Sequence, residues 1–215
     1  MTKKIELYKS NSLVDYQLAT HFMESRANSI HMGEENELIW LLEHPPIYTA
    51  GSSAKQEELL IESQIPVYQT PRGGKFTYHG PGQRIIYIML DLRRFNKDIR
   101  LFIKTLEEIL INTMDAFGIE VFPRRERIGL WTKRDEDEEK IGAIGLKVKK
   151  WISLHGIAIN INPDMQYFDG IVPCGLPEYG VTCLHNINPN ISSNNFDEKF
   201  LENFELKIQK LITID

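Results

Sequence analysis

Residues 140–175 constrain the fold of this chain more than any other stretch. They read KIGAIGLKVKKWISLHGIAININPDMQYFDGIVPCG. Two runs of strand character, residues 141–148 and 151–161, flank the charged pair Lys149 and Lys150. Apolar runs of this length on either side of a charged turn are typical of two successive strands. The stretch therefore predicts a pair of strands around which the rest of the chain is organised.

Side chains that can take part in a reaction lie at both ends of this stretch. It begins at Lys140 and ends with Cys174, which sits between Pro173 and Gly175. The proline fixes the approach of the backbone, and the glycine lets a substrate or another backbone segment come close. A cation that approaches a cysteine in the fold is the simplest way to form a thiolate near neutral pH. We therefore predict that Lys140 and Cys174 form a reactive pair.

Each of these two residues also has a simpler interpretation. A free cysteine such as Cys174 can be a small buried apolar residue, and Lys140 can be a strand-end lysine that belongs to the acidic run at residues 134–139. Three other lysines, at positions 147, 149 and 150, compete for the same role, although their place at a strand end and turn favours solvent or a partner. The second cysteine, Cys183, has alternating apolar neighbours, which favours packing.

Composition excludes several classes of protein. Of the 215 residues, 42% are hydrophobic and 26% are charged, as in ordinary globular proteins, and the net charge of −5 argues against a broad nucleic-acid-binding face. Two cysteines cannot form a disulfide framework. The longest apolar runs, such as residues 85–90, are too short to cross a bilayer, and no apolar signal core follows the basic N-terminus. We expect a cytoplasmic, monomeric protein that binds neither nucleic acid nor membrane.

Strand and helix patterns alternate without a regular βαβ rhythm. A first helix with an apolar stripe of Val14, Leu18, Phe22 and Met23 is predicted to be capped by Asn11 or Ser12. Asp98 is predicted to cap a second helix, and a third amphipathic helix follows residue 195. Residues 37–43 and 84–92 are typical of strands. This mixture predicts an α+β or mixed-sheet α/β fold in a single domain over residues 1–215.

The densest glycine cluster, RGGKFTYHGPGQ at residues 72–83, predicts a ligand-binding loop or a tight β-turn. It lacks the Gly-Lys-Ser/Thr of a nucleotide P-loop and the strand–helix setting of a dinucleotide fingerprint. Its glycines permit close backbone approach to a ligand, with polar groups supplied by Arg72, Thr77, Tyr78 and His79. The histidines have neither HxH nor HxxxH spacing, so no metal site is predicted, and His79 and His155 are better suited to lining a pocket.

Together these segments resemble the lipoyl(octanoyl) transferase family. The resemblance covers most of the chain, and several ordered motifs at the right spacing are more specific than any one of them. The motifs are EHPPIYTAG at residues 43–51, RGGKFTYHGPGQ at 72–83, KIGAIGLKV at 140–148, HGIAINI at 155–161 and VPCG at 172–175. Gly142 stands where the family more often has alanine, a departure that concerns the shape of the pocket.

The resemblance implies a fold like that of biotin and lipoate protein ligases, a mixed sheet flanked by helices. It implies transfer of an octanoyl group from octanoyl-acyl carrier protein to a lysine of lipoyl domains, those of 2-oxoacid dehydrogenase complexes and of the glycine cleavage H protein, with no cofactor or metal. Cys174 matches the family's acyl-thioester nucleophile, and Lys140 matches the lysine that lowers the pKa of that thiol and assists proton transfer. The acyl pocket maps onto three segments, whose residues are Arg72, Gly73, Gly74, Lys75, Phe76, Thr77, Tyr78, His79, Ala143, Ile144, Gly145, Gly156, Ile157 and Ala158.

Three other functions remain open at this point. An ATP-dependent lipoate ligase on the same fold would use a lysine such as Lys140 to hold an acyl-adenylate and would not need Cys174. A non-catalytic module that binds carrier or lipoyl domains would keep the pocket without a covalent intermediate. A thiol redox protein is disfavoured because the chain has no CxxC motif. A transferase differs from the ligase because a thiolate can attack a thioester donor directly, without ATP, and it differs from the binding module because it forms a covalent intermediate.

Overall fold

The computed structural model describes residues 5–60, 65–124, 127–134, 136–175 and 179–212, although the side chains of residues 128, 174 and 209–212 are outside the description. The predicted strand pair lies near the centre of the fold as β9 (Asp137–Lys149) and β10 (Ile152–Asn160). The two strands are antiparallel, with Ala143 opposite Ala158 and Gly145 opposite Gly156. The strand-pair prediction is confirmed.

Around this hairpin the described strands form a large mixed sheet. The further members are β1 (Ile5–Lys9), β2 (Glu37–Leu42), β6 (Gln83–Met89), β7 (Phe122–Arg124), β8 (Arg127–Arg134) and β11 (Gly180–Val181). Their order is β1-β2-β6-β10-β9-β8-β7, and β11 pairs with β9 beyond the end of β10. Two of the pairings, β1 with β2 and β11 with β9, are parallel, and the others are antiparallel.

Helices cover both faces of this sheet, because alternate residues of its central strands are apolar on each side. The first face packs on α1 (Tyr16–Met32) through Ala19, Met23, Ala27 and Ile30. The second face packs on α2 (Ile99–Asp115) and α4 (Ser193–Ile212). A short helix, α3 (Leu184–Ile187), precedes α4. No helix among the described residues is both long and apolar enough to cross a membrane.

A smaller sheet forms the third part of the fold. Its strands are β3 (Ile47–Ala50), β4 (Val67–Gln69) and β5 (Phe76–His79), in the order β4-β3-β5. Their apolar side chains pack with Phe168 and Ile171 of the segment that leads to Cys174. The glycine cluster at residues 72–83 therefore runs from a loop through β5 and a turn into β6, and joins the two sheets.

The start of the first helix differs from the prediction. Asp15, and not Asn11 or Ser12, caps α1, since its carboxylate accepts a hydrogen bond from Leu18 N at 3.0 Å. The chain cannot turn into a helix earlier because Ser10 N and Val14 N both donate to backbone carbonyls at the end of β2. Leu18 of the predicted apolar stripe is 70% exposed, because the face of α1 that packs on the sheet carries Ala19, Met23, Ala27 and Ile30 instead. The predicted cap of α2 is confirmed, since Asp98 accepts from Leu101 N at 2.9 Å.

Candidate active site

A narrow cavity lies on the α1 face of the large sheet, where β10 ends and β6 begins. The sheet contributes small side chains, Gly142 and Ala143 from β9 and Ala158 from β10, because larger ones would fill the space. The opposite wall comes from Phe76 and Thr77 of β5 and from Phe168. The remaining lining residues are Gln83, Lys140, Asn160, Pro173 and Val181. Lys140 and the turn that carries Cys174 therefore meet at one cavity.

Lys140 reaches this cavity through a slot in the neighbouring strand. The β8–β9 ladder has a bulge there, with Leu130 opposite Gly142 and Trp131 opposite Lys140. A Cβ on Gly129 would lie 2.4 Å from Lys140 Cε and 2.8 Å from its Nζ, so only glycine leaves room for the lysine. The ammonium of Lys140, a residue that is 8% exposed, lies 5.7 Å from the centre of the Trp131 ring. A cation held over an indole in this way is stabilised while partly desolvated.

Trp131 is itself fixed by a cationic cluster. Its indole N–H donates to Arg127 O at 3.0 Å, and the Arg127 guanidinium lies 4.4 Å from its ring and 3.9 Å from the ring of Tyr179. Glu138 accepts hydrogen bonds from Arg124 and Arg127, which lower the pKa of its carboxyl to about 2. The cluster therefore stays charged at neutral pH and holds the ring against which Lys140 lies.

The backbone around Cys174 is held from the other side. Residues Pro173–Gly175 form a 3₁₀ turn, in which Gly175 N donates to Val172 O at 3.0 Å. The Cys174 side chain is outside the described part of the structure. The Lys75 side chain lies so close to the turn that a Cβ on Gly175 would be 2.5 Å from Lys75 Nζ. Lys75 forms an ion pair with the buried carboxylate of Glu58, whose backbone carbonyl accepts from Val172 N at 2.8 Å.

Arg72, which the sequence predicts as a ligand-binding residue, has a structural role here. Its guanidinium donates to Thr49 O and Thr49 Oγ1 at 2.8 Å each, and to Gly73 O and Lys75 O at 3.0 Å. Gly73 and Gly74 lie in the loop that these bonds close. The Arg72 side chain also passes over Gly145, where a Cβ would be 3.5 Å from Arg72 Cδ. Arg72 thus fixes the loop before β5 and occupies the surface of Gly145.

The remaining predicted pocket residues divide between the two faces of the sheet. Ile144 and Ile157 belong to the core on the α2 and α4 side, away from the cavity, because they alternate with Ala143 and Ala158. Gly156 packs against β6. Tyr78 points into the small-sheet core and stacks on Tyr167 at 4.8 Å. Of the predicted acyl-pocket residues, only Phe76, Thr77, Ala143 and Ala158 line the described cavity.

The histidines lie behind the cavity wall. His79 Nδ1 is 2.6 Å from Gln83 Oε1, and burial lowers the pKa of His79 to about 3. His44 bonds Val14 O at 2.6 Å and the Tyr87 hydroxyl at 2.7 Å, and burial lowers its pKa to about 4. Burial likewise lowers the pKa of His155 to about 4. Neither His79 nor His155 lines the cavity, and no group of three His, Cys, Asp or Glu within the described ranges could hold a metal.

Sequence reasoning missed two polar residues of the cavity, Gln83 and Asn160. Both are buried, at 2% and 4% exposed, and they face each other across the β6–β10 ladder. A signal for Asn160 does exist in the strand HGIAIN, since it continues the alternation of Gly156 and Ala158 with a polar residue. For Gln83 the sequence offers only its position after the glycine turn.

A second, more open groove of about 520 Å³ lies between β1 and α1. Its lining residues are Leu7, Tyr8, Lys9, Ser10, Leu18, Phe22 and Trp40. Among the described residues that line it, the titratable ones are Tyr8, which accepts from Arg26, and Lys9, which pairs with Asp197 at 2.8 Å. Within the part of the chain that the structure describes, no nucleophile of this groove is paired with an acid or a base, so the candidate active site is the narrow cavity.

Comparison with known sequences places the whole site inside one family model. Residues 15–205 match the model described as lipoyl protein ligase A/B catalytic domain. A curated relative from Maricaulis maris (strain MCS10), named octanoyltransferase, is 50% identical over 196 residues, which cover 90% of this chain and 87% of the relative.

Comparison with solved structures supports the fold. A lipoate-protein ligase A bound with ATP superposes with a TM-score of 0.74 at 16% identity, over 97% of this chain and 86% of that one. A biotin protein ligase from Aquifex aeolicus gives a TM-score of 0.54 at 11% identity, over 98% and 72% of the two chains. The predicted likeness to the biotin and lipoate protein ligase fold is confirmed.

Proposed function

This chain belongs to the lipoyl protein ligase A/B catalytic domain family, and on that basis we propose that it is an octanoyltransferase that acts in protein lipoylation. The donor in this proposal is octanoyl-acyl carrier protein, and the acceptor is a lysine of a lipoyl domain. The single observation that carries the proposal is that Lys140 and the Pro173–Gly175 turn meet at one cavity lined by small side chains. The curated relative named octanoyltransferase supports it independently.

In the first half-reaction the Cys174 thiolate attacks the donor thioester. A new C–S bond forms, and the carbonyl π electrons move to oxygen. When the tetrahedral intermediate collapses, the bond to the carrier sulfur breaks, and the carrier leaves as a thiolate that takes a proton from the Lys140 ammonium. The exchange of one thioester for another is nearly isoenergetic, so no ATP is needed.

In the second half-reaction the acceptor lysine amine attacks the enzyme thioester. The C–N bond forms, the nitrogen gives a proton to the now neutral Lys140, and collapse of the intermediate expels the Cys174 thiolate. The ion pair of thiolate and ammonium is thereby restored for another cycle. The Trp131 ring and the Gly129 slot support this shuttle because they hold the lysine beside the cavity.

The cavity walls suit an apolar acyl chain. Each buried methylene of such a chain contributes about 0.8 kcal/mol. The volume of the cavity in this structure is only about 20 Å³. An eight-carbon chain needs more space than this, and a movement of Phe76 and Phe168 in the small-sheet wall would enlarge the cavity. Both rings lie on the small-sheet side, and the opposite wall of the large sheet is fixed by backbone hydrogen bonds.

The proposal extends to partners and setting. The acceptors are lipoyl domains of 2-oxoacid dehydrogenase complexes and of the glycine cleavage H protein, the enzyme works as a cytoplasmic monomer, and no cofactor takes part. We also treat residues 1–215 as one catalytic domain, which the family match over residues 15–205 supports.

Substitution of the two cysteines tests the proposal. We expect Cys174→Ser to abolish transfer from octanoyl-acyl carrier protein without ATP, while Cys183→Ser keeps most activity, since Cys183 is buried in packing. The measurement is mass spectrometry of an added lipoyl domain, with the circular dichroism spectrum of each variant as the check on folding. Full activity of Cys174→Ser, or activity only with ATP and free octanoate, would reject the thioester route in favour of a ligase.

A further inference from the structure

Asn160 is one of the two buried polar residues of the cavity, with Gln83, that the mechanism above leaves unused. It is the last residue of β10, is 4% exposed, and lies on the same face of the sheet as Ala158. It lines the cavity together with Lys140 and Pro173. Burial of a primary amide in an apolar wall is costly unless its donors and acceptors are satisfied. The oxygen and both N–H groups of this amide are therefore each expected to have a hydrogen-bond partner.

Three hydrogen bonds fix the orientation of two neighbouring amides. Asn160 Nδ2 donates to Thr182 O at 3.0 Å, and Gln83 Nε2 donates to Tyr78 O at 3.1 Å. Because a carbonyl only accepts, these two bonds identify the nitrogen of each amide. Gln83 Nε2 also donates to Asn160 Oδ1 at 2.9 Å. The Asn160 side chain is thus held through both its oxygen and its nitrogen.

One donor of this fixed amide is left over. A primary amide has two N–H groups, and only one of those on Asn160 has an acceptor among the described residues, namely Thr182 O. Thr182 also connects this amide to β9, since Thr182 N donates to Lys140 O at 2.8 Å. This fixed N–H lies in the wall of a cavity that also holds the ammonium of Lys140. It can donate a hydrogen bond to a substrate oxygen on which negative charge develops.

The backbone donors that follow β5 are already engaged. Gly82 N donates to Glu43 Oε2 at 2.8 Å, and Gln83 N donates to Gly80 O at 3.1 Å. Backbone N–H groups of a glycine-rich loop are common donors to an oxyanion, but these two N–H groups are already engaged and are not free for that task.

We propose that the second N–H of Asn160 donates to the acyl carbonyl oxygen while that oxygen carries negative charge. In each half-reaction the nucleophile adds to the carbonyl carbon, the π pair moves to oxygen, and Asn160 donates a hydrogen bond to it without giving up its proton. When the pair returns to carbon, the leaving sulfur departs and the bond to Asn160 weakens. The inference rests on the proposed function, because it requires an acyl group in the cavity.

Two reactions of the same thiol separate this role from a structural one. Acylation by octanoyl-acyl carrier protein passes through an oxyanion, whereas alkylation by iodoacetamide is a direct displacement that has none. The test compares both rates in Asn160→Ala and in Asn160→Ser, which keeps a polar group for Gln83, under single-turnover conditions with adducts quantified by mass spectrometry. Asn186→Ala is the matched control, since Asn186 also bonds Thr182, at 3.4 Å, but is exposed and does not line the cavity.

For either Asn160 variant we expect acylation to slow by about 100-fold to 1,000-fold, as when one oxyanion donor is removed from a hydrolase, while alkylation stays near the wild-type rate. If acylation and alkylation slow to the same extent, Asn160 has a structural role. If acylation is unchanged, Asn160 takes no part in the reaction. Either result overturns the inference about Asn160 and leaves the proposed function standing. A wild-type chain that is alkylated but never acylated would instead reject the proposed function, and this inference with it.

Discussion

Gly129 is the residue on which the position of Lys140 depends most directly. Its Cα faces the end of the lysine side chain, and any Cβ there would overlap Lys140 Cε at 2.4 Å. The lysine would have to leave the slot between Gly129 and the Trp131 ring. Since the proposed shuttle needs the ammonium beside the thiol, the absence of one side chain on β8 sets the geometry of the reaction.

We therefore predict that Gly129→Ala lowers octanoyl transfer by at least about tenfold and slows iodoacetamide alkylation of Cys174, because displacement of the cation raises the pKa of the thiol. The pH dependence of the alkylation rate measures this directly. Gly118→Ala is the matched control, since Gly118 also has a positive φ, of 70°, but a Cβ added there would have no neighbouring atom within 4 Å. If the alkylation rate depends on pH in the same way in the wild type and in Gly129→Ala, then Gly129 does not determine the position of Lys140.

For single residues, the sequence predicts which positions belong to the candidate site better than it predicts what each of them does. Ala143 and Ala158 could be predicted as cavity residues because small side chains in an apolar strand imply space. Ile144 and Ile157 could not be separated from them, since the segment does not reveal which of its alternating residues faces the cavity. The role of Arg72 depends on Thr49 and Lys75, and no spacing in the sequence brings these three together.

Among the elements, the 3₁₀ turn Gln56–Glu58 holds the segment before Cys174. Glu58 O accepts from Val172 N, Leu60 N donates to Gly170 O at 2.9 Å, and Leu59 pairs with Ile171. The Glu58 carboxylate then pairs with Lys75, whose side chain lies against Gly175. The turn that carries the thiol is thus clamped between residues 56–60 and the loop before β5.

Loss of one member of this ion pair is expected to cost more than loss of both. Lys75→Met leaves Glu58, which is 6% exposed, as a buried unpaired charge, and such losses cost about 3–5 kcal/mol. Addition of Glu58→Gln removes that charge and should recover a large part of the stability. Urea unfolding of the wild type, the single variant and the double variant measures this, with Lys199→Met as the control for an exposed pair. A double variant less stable than Lys75→Met would contradict the clamp.

Element positions were largely predictable from periodicity, and element ends were not. The hairpin of β9 and β10 follows from two apolar runs and a charged turn. The start of α1 does not, because backbone bonds from Ser10 and Val14 to β2 delay the helix until Asp15. These bonds join segments about thirty residues apart, which a local pattern cannot reveal.

For the whole molecule, the three buried histidines make stability depend on pH. His44, His79 and His155 have folded-state pKa values of about 4, about 3 and about 4, below the ordinary value of 6.5, because burial disfavours the charged ring. The unfolded chain therefore binds protons that the folded chain does not. Their contribution to stability is complete above pH 6.5 and is lost as the pH falls towards 4.

We predict that the free energy of unfolding falls steeply between pH 7 and pH 5, at up to about 1.4 kcal/mol per pH unit for each of these histidines. Urea unfolding at fixed ionic strength across this range gives the slope. His44→Gln should reduce the slope, because it removes one of the three buried rings. A free energy of unfolding that does not change between pH 7 and pH 5 would contradict the buried neutral histidines.

The central claim, that octanoyl transfer proceeds through a thioester on Cys174, is tested most directly by isolating the acylated enzyme. The chain is mixed with octanoyl-acyl carrier protein without ATP, freed of the carrier, and then given a lipoyl domain. We predict one hydroxylamine-sensitive octanoyl group that maps to Cys174, and its transfer to the acceptor lysine at least as fast as steady-state turnover. An acylated enzyme that passes nothing to the lipoyl domain, or turnover without any adduct, would contradict the account.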